Sequence, residues 1–265
     1  MKSPRHSTES VSLPVSRLAV ILRQPTGEDD LVLRESRMPQ QAMARTLAAR
    51  LARTADGQPV DPDALCVADH QALLLRIRQA VAGDVIQAEV TCASNECRAR
   101  VDITFRISEY LESHPVRTPR GLVRTGAGWF QLADEEARFR LPTVQDLRAI
   151  DGQRQPDREL ARRCTEPAEI PPVLRRRMER AMESLAPPLS RSLAGECPEC
   201  GGSVEVYFDV ETFVVRELSD SAAGLYQDVH LLALHYKWPE HQILALPRNR
   251  RLQYVEVLRD QGGAV

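Results

Sequence analysis

Two short stretches decide the fold: Thr91-Cys92-Ala-Ser-Asn-Glu-Cys97-Arg-Ala-Arg100 and Gly195-Glu-Cys197-Pro-Glu-Cys200-Gly-Gly-Ser203. Each ends in an alternating apolar/polar run, Val101-Asp-Ile-Thr-Phe105 after the first and Val204-Glu-Val-Tyr-Phe208 after the second. Alternation of this kind reads as a half-buried strand. A cysteine pair on a tight turn before such a strand reads as a zinc knuckle at the tip of a β-hairpin. Zinc takes four soft or borderline ligands in a tetrahedron, and two knuckles supply four thiolates. The candidate ligands are therefore Cys92, Cys97, Cys197 and Cys200. In the second knuckle, proline and two glycines suit a turn that folds its backbone around a metal. The four-residue spacer of the first is within the accepted range.

Roughly a hundred residues separate the knuckles, against about 15–20 in a compact ribbon. The metal is thus expected to clamp two distant parts of the chain and tie off a large insertion. Four cysteines close the coordination sphere, so a catalytic zinc with an open position is not expected. A redox Cys-x-x-Cys would open a helix, whose dipole lowers a thiol pKa, whereas a strand follows here. The bland alternatives are a buried pair of free thiols or a site that has lost its metal.

Composition narrows the function classes. A chain of 265 residues with a formal charge of −2 has room for a real core and no overall drive toward nucleic acid or acidic membranes. Six cysteines in this length do not make a secreted disulfide scaffold. No segment is long and apolar enough to span a membrane. The opening stretch lacks the apolar core of a signal peptide, so a cytoplasmic site of synthesis is expected. No Gly-x-Ser-x-Gly elbow or Walker-type glycine loop occurs.

Along the chain, residues 1–15 are polar and read as a disordered arm. Residues 16–210 are expected to hold the β-hairpins and helices of the split ribbon, with an insertion at 112–190, and residues 211–260 a helical C-terminal unit. Residues 18–22 and 31–33 read as two strands of a hairpin across a turn at 25–30. Residues 40–53 read as a helix on the stripe Met43, Leu47, Leu51, and Asp69 as the N-cap of the next. A hairpin is expected at 128–141, then helices at Val144–Ile150, 159–164 and 172–184. Past the second knuckle, helices are expected at 210–218 and Leu225–Tyr236, then a short turn, then a helix to about residue 258 on the stripe Leu252, Val255, Leu258. The fold class is α+β: a split zinc ribbon of two β-hairpins, a large α/β insertion and a helical C-terminal unit.

Other candidates are weaker. His230 and His235 are five apart, so they leave one helix on different faces, whereas a two-histidine metal motif needs four. His70 beside Asp69 is not a triad. Cys66 and Cys164 sit among apolar residues and read as small core side chains. Arg175 to Arg177 read as a solvated helix face. Arg248, Arg250 and Arg251 belong to a helix–turn–helix-like unit next to the candidate zinc site, which keeps a zinc-ribbon nucleic-acid-binding regulator as the alternative function. Mixed acidic residues and the net charge argue against it. Tyr236 and Trp238 mark an aromatic corner between helices, either core or an anchor for a partner.

The chain resembles the T-even-type phage baseplate hub assembly protein family of contractile phage tails and phage-tail-like injection systems. Three stretches carry the resemblance: residues 72–84 running into Cys92 and Cys97; Phe139-Arg-Leu-Pro-Thr143; and the second knuckle with the tail His230-Leu-Leu-Ala-Leu-His-Tyr-Lys-Trp238 and Ile243-Leu-Ala-Leu-Pro247. The resemblance implies a non-enzymatic structural or assembly protein. Its partners would be baseplate, hub or spike proteins of the same particle, and it would take no small-molecule substrate. By matching position, the four cysteines carry over as ligands of a structural zinc.

Overall fold

The computed structural model describes residues 9–262 apart from Ala127. It begins with strands β1 (Glu9–Ser12) and β2 (Ala19–Leu22), helices α1 (Gly27–Glu35) and α2 (Gln40–Leu51), and strand β3 (Ala52–Thr54). A single 3₁₀ turn, Pro62–Ala64, leads into α3 (Val67–Ala82). Gly83, at φ 87°, ends α3 in a conformation that favours glycine. The first cysteine hairpin follows, β4 (Val85–Thr91) and β5 (Arg100–Arg106), then α4 (Ile107–Glu112). The insertion holds β6 (Leu122–Gly126), β7 (Trp129–Leu132), β8 (Arg138–Arg140), α5 (Val144–Ile150), α6 (Pro156–Cys164), β9 (Thr165–Glu166) and α7 (Pro172–Leu185). The second cysteine hairpin is β10 (Arg191–Glu196) and β11 (Ser203–Phe208). It is followed by α8 (Val210–Ser221), α9 (Leu225–Tyr236), α10 (Glu240–Leu244) and α11 (Arg248–Gly262).

Helix outweighs strand, 47% to 22%, and every described strand pairing is antiparallel, so the class is α+β as expected. The sheets are small: β1-β2-β3, the two cysteine hairpins, and β6-β7-β8-β9. The main core gathers around α3, whose Leu73, Leu74 and Leu75 are all buried. A helix buried all round lies inside a domain rather than on its surface. Met43, Leu47 and Leu51 of α2 enter this core on their expected stripe, with Val214 and Leu218 of α8. The insertion has its own core of Phe130, Phe139, Leu174, Met178 and Leu185.

Several expectations are corrected. Residues 1–8 of the expected disordered arm lie outside the described residues, but Glu9–Ser12 form β1, paired with β2. Residues 31–33 belong to a helix, not to a hairpin strand. Thr26 is the N-cap of α1, and the Asp29 side chain takes the Thr26 backbone N–H at 2.8 Å; this helix-start chemistry overrides the turn reading of 25–30. Strand β2 pairs with β1 and β3 instead. Asp69 lies inside α3, whose N-cap is Cys66. In α11, Leu252 is exposed while Arg248, Arg251 and Val255 are buried. The inward stripe therefore starts one turn earlier and carries charge.

The α1 start recurs in the insertion. Arg23-Gln-Pro-Thr26-Gly-Glu-Asp29 and Arg140-Leu-Pro-Thr143-Val-Gln-Asp146 share Arg-x-Pro-Thr-x-x-Asp. In the second copy Asp146 takes the N–H of Thr143 at 3.0 Å. Each aspartate also accepts from two arginines: Asp29 from Arg23 and Arg50, Asp146 from Arg140 and Arg163. Each element then swaps two backbone hydrogen bonds with the start of another helix. Gly27 N–H donates to Leu246 and Arg248 N–H to Pro25, while Val144 N–H donates to Leu65 and Val67 N–H to Pro142. Four helix starts thus satisfy each other's orphan donors in two pairs. Gly27 is required by this approach, because a Cβ there would lie 2.8 Å from the Leu244 backbone.

Burial opposes ionisation of Asp29, but Arg23, the Thr26 N–H and Arg50 outweigh it and hold the carboxyl at about 2. Asp146 is likewise held well below the usual range, by Arg140 and Thr143 acting against burial. The unfolded value is about 3.9. A lowered folded pKa stabilises above that value and is lost as pH falls through the folded one. The urea midpoint is therefore expected to fall as pH drops from about 4 to 2. Asp29→Asn is expected to flatten part of that slope and to be less stable at neutral pH, read by urea denaturation across pH.

Candidate metal centre

The two cysteine hairpins are built alike. Strands β4 and β5 pair from Val85↔Arg106 to Thr91↔Arg100, and β10 and β11 from Arg191↔Phe208 to Glu196↔Ser203. The cysteine turns cap their tips. Cys92 N–H donates to Ala99 and Cys197 N–H to Gly202, each at 2.8 Å. The residue after each second cysteine is left-handed, Arg98 at φ 52° and Gly201 at φ 70°. Glycine takes that conformation freely; Arg98 is strained in it. Backbone N–H groups point at the sulfurs in both turns, Ser94 at Cys92 and Ala99 at Cys97 in one, Cys200 and Glu199 at Cys197 in the other.

The hairpins meet at both ends. At the bases, Phe105 of β5 and Phe208 of β11 pack edge to face at 5.5 Å, with Tyr110 and Phe213 against Phe208. Such aromatic pairs add about 0.5–1.5 kcal/mol beyond their burial. At the tips, Cys92 and Cys97 face the pair across from them. The Cys92–Cys200 and Cys97–Cys197 sulfurs are each 3.8 Å apart, and all four lie within 4.8 Å of one another. Cys92 and Cys197 are buried, Cys97 half-buried and Cys200 exposed. Val101 and Val204 close the space beneath them.

This geometry fits a metal. With a metal–sulfur bond of about 2.3 Å, the edge of a regular tetrahedron of sulfurs is about 3.8 Å. The protonation chemistry points the same way. The N–H groups of Cys200 and Glu199 lower the Cys197 thiol to about 7. At Cys97 the Ala99 N–H also favours the thiolate, but burial and the neighbouring sulfurs prevail and push it up to about 12. Four adjacent thiolates are stable together only around a cation. All four sequence-predicted ligands are therefore brought to one point, consistent with a metal site.

The C-terminal candidates fare differently. Arg248 and Arg251 are buried, at 3% and 1% exposure, and are not an outward basic face. Arg248 Nε donates to Asp30 Oδ1 at 2.9 Å. Arg251 Nη2 donates to Asp30 Oδ2 at 2.6 Å, and its Nε donates to Asp228 at 3.2 Å. The two arginines join α11 to α1 and α9. Only Arg250 of the cluster is exposed, and its guanidinium lies 5.8 Å from the Tyr254 ring. Two of the three arginines on which the nucleic-acid alternative drew are therefore turned inward. Tyr236 and Trp238 stack at 4.8 Å, and Trp238 meets Tyr254 edge-on at 5.1 Å. Both are half-buried beside the C-terminal core of Leu232, Ile243 and Val255. The large apolar side chains most exposed on this unit are Tyr226 and Leu234 of α9 and Leu252 and Val257 of α11; of these, the periodicity predicts Leu252 on the inward stripe.

The remaining candidates lie outside the cysteine cluster. His230 and His235 are exposed on α9. His70 is fully buried, with Nδ1 3.3 Å from Glu211. Burial and Asp69 push the Cys66 thiol up to about 12, and burial pushes Cys164 up to about 11, which leaves both protonated and inert. Among the described residues, no helix is long and apolar enough to cross a membrane. Comparison with family models, with curated proteins and with solved structures gives no match.

The Asp30 cluster makes a direct prediction. Asp30→Asn leaves two buried guanidinium groups against one carboxylate, and breaking a buried ion pair in this way costs about 3–5 kcal/mol. Chemical denaturation is expected to show a loss of that size, whereas Arg250→Ala changes stability by less than about 0.5 kcal/mol.

Proposed function

We propose that this chain is a non-enzymatic, metal-stapled scaffold: a structural or assembly protein of the baseplate of a contractile phage-tail-like injection system. The cofactor in this reading is a single structural zinc held by Cys92, Cys97, Cys197 and Cys200, and the two hairpins form a zinc ribbon split by the insertion. The observation that carries the scaffold reading is the sulfur geometry, 3.8 Å across each inter-hairpin pair. A four-thiolate set leaves no position for water or substrate, so the metal acts on folding and not on chemistry. The baseplate reading is supported by the order of the three quoted stretches. Its partners are baseplate, hub or spike proteins, met through protein surfaces.

Two outcomes follow. Purified protein is expected to hold one zinc per chain by elemental analysis. Cys197→Ser with Cys200→Ser is expected to lose the metal and several kcal/mol of stability, because metal-binding free energy is folding free energy at such sites. Full stability of the double variant would exclude a structural staple. For the baseplate role, mass spectrometry of particles and assembly intermediates from the native host is expected to contain the chain. Presence in finished particles makes it a component and presence only in intermediates an assembly factor. Absence from both would overturn the baseplate reading while leaving the zinc site intact.

A further inference from the structure

A small cavity of about 200 Å³ opens where the insertion leaves and re-enters the main core. Its lining comes from four places: the turn after β1, one side of α3, the end of α4 with the chain leaving it, and the chain returning toward β10. Leu13, Ala68, Ala72 and Leu189, all buried, make an apolar floor. Drug-sized and cofactor pockets run roughly 300–1,000 Å³, so this space suits one amino-acid side chain and not a nucleotide.

The walls are held in place. Gln71 of α3 accepts the N–H of Leu189 at 3.1 Å and donates to Ser190 at 3.0 Å. The Tyr110 hydroxyl donates to the Leu189 carbonyl at 2.6 Å. On the opposite wall, buried Asp69 accepts the N–H groups of Val15 and Ser16, each at 2.8 Å. That fixes a turn in which Arg17 sits at φ 62°. A residue with a Cβ is disfavoured in the left-handed region, and such strain persists only where the surroundings impose it. Its effect here is to present an arginine to the cavity.

The charge of the lining is positive. Arg17 and Arg76 both line it; Arg76 donates to the neutral Gln79, and among the described residues neither arginine has a carboxylate within ion-pair distance. Glu112 is the one acidic residue of the lining. His114 also lines the cavity. A carbonyl only accepts, so the 2.7 Å contact to Tyr110 O places the proton on Nδ1, and Nε2 accepts from Arg191 at 3.1 Å.

From the apolar floor beside two arginines, we infer that this cavity docks the C-terminal residue of a partner polypeptide, with an aliphatic side chain on the floor and the α-carboxylate on Arg17 and Arg76. A chain terminus fits because side chain and carboxylate branch from one Cα, whereas an internal aspartate or glutamate brings a carboxylate without the aliphatic branch. Arginine is suited to planar carboxylates through its paired N–H donors. Occupation would bridge the main core and the neck of the insertion. The inference does not depend on the metal or on the baseplate reading.

The test uses the full chain with labelled leucine methyl groups and three probes: N-acetyl-leucine, N-acetyl-leucinamide and N-acetyl-isoglutamine. N-acetyl-leucine is expected to shift the methyl signals of Leu13, Leu111 and Leu189 saturably, and the other two probes to bind at least about tenfold more weakly. Arg17→Ala and Arg76→Ala, with their probe-free spectra otherwise intact, are each expected to weaken N-acetyl-leucine about tenfold. No saturable shift by N-acetyl-leucine, equal binding of the acid and its amide, or unchanged affinity in both variants would overturn the proposal. Equal or tighter binding of N-acetyl-isoglutamine would overturn the chain terminus in favour of an acidic side chain.

Discussion

Two hairpins that start about a hundred residues apart must meet tip to tip, and the rest of the architecture follows from that constraint. Sulfur 97 and sulfur 197 are 3.8 Å apart across a separation of 100 residues. Closing so long a loop is entropically costly, though the cost grows slowly with length. The four-cysteine cluster at the tips and an aromatic cluster at the bases share it. With both ends of the insertion fixed, residues between the hairpins fold around their own small core of Phe139 and Met178 without having to hold the hairpins together. Helices α4 and α8 leave the two bases, and α8 packs on α2 and α3 to complete the main core.

The second organising device is electrostatic. Two Arg-x-Pro-Thr-x-x-Asp elements start α1 and α5, and each locks the start of a second helix through paired backbone bonds. One copy carries the C-terminal unit. There the Asp30, Asp228, Arg248 and Arg251 cluster joins α1, α9 and α11 across more than two hundred residues of chain. Buried charges of this kind are weak contributors to net stability compared with apolar packing, but they tolerate few alternative arrangements. They fix where the C-terminal helices sit, while the modest core of Leu232, Ile243 and Val255 supplies the burial.

Much of this was legible in the residues. The cysteine turns, the alternating strands after them and the leucine-rich helices announce themselves through periodicity and spacing. What was not legible depended on partners distant in sequence. The run Leu31-Val-Leu33 looks like a strand until Thr26 and Asp29 are recognised as a cap, and Glu9–Ser12 looks like a polar tail until β2 offers it an edge. Arg248 and Arg251 looked like a surface patch because their acids, Asp30 and Asp228, lie elsewhere in the chain. The repeat of Arg-x-Pro-Thr-x-x-Asp was present in the letters, but its meaning rests on helix starts that only the fold brings together. The four cysteines needed no such help: donor type and spacing singled out the four residues that the fold brings to one point.

The central claim is that a closed four-sulfur metal holds the two hairpins together. X-ray absorption at the zinc edge on protein purified without added metal tests it most directly. The account predicts one zinc per chain surrounded by four sulfurs at about 2.3 Å. A shell containing oxygen or nitrogen, or protein that folds fully with no metal bound, would contradict it.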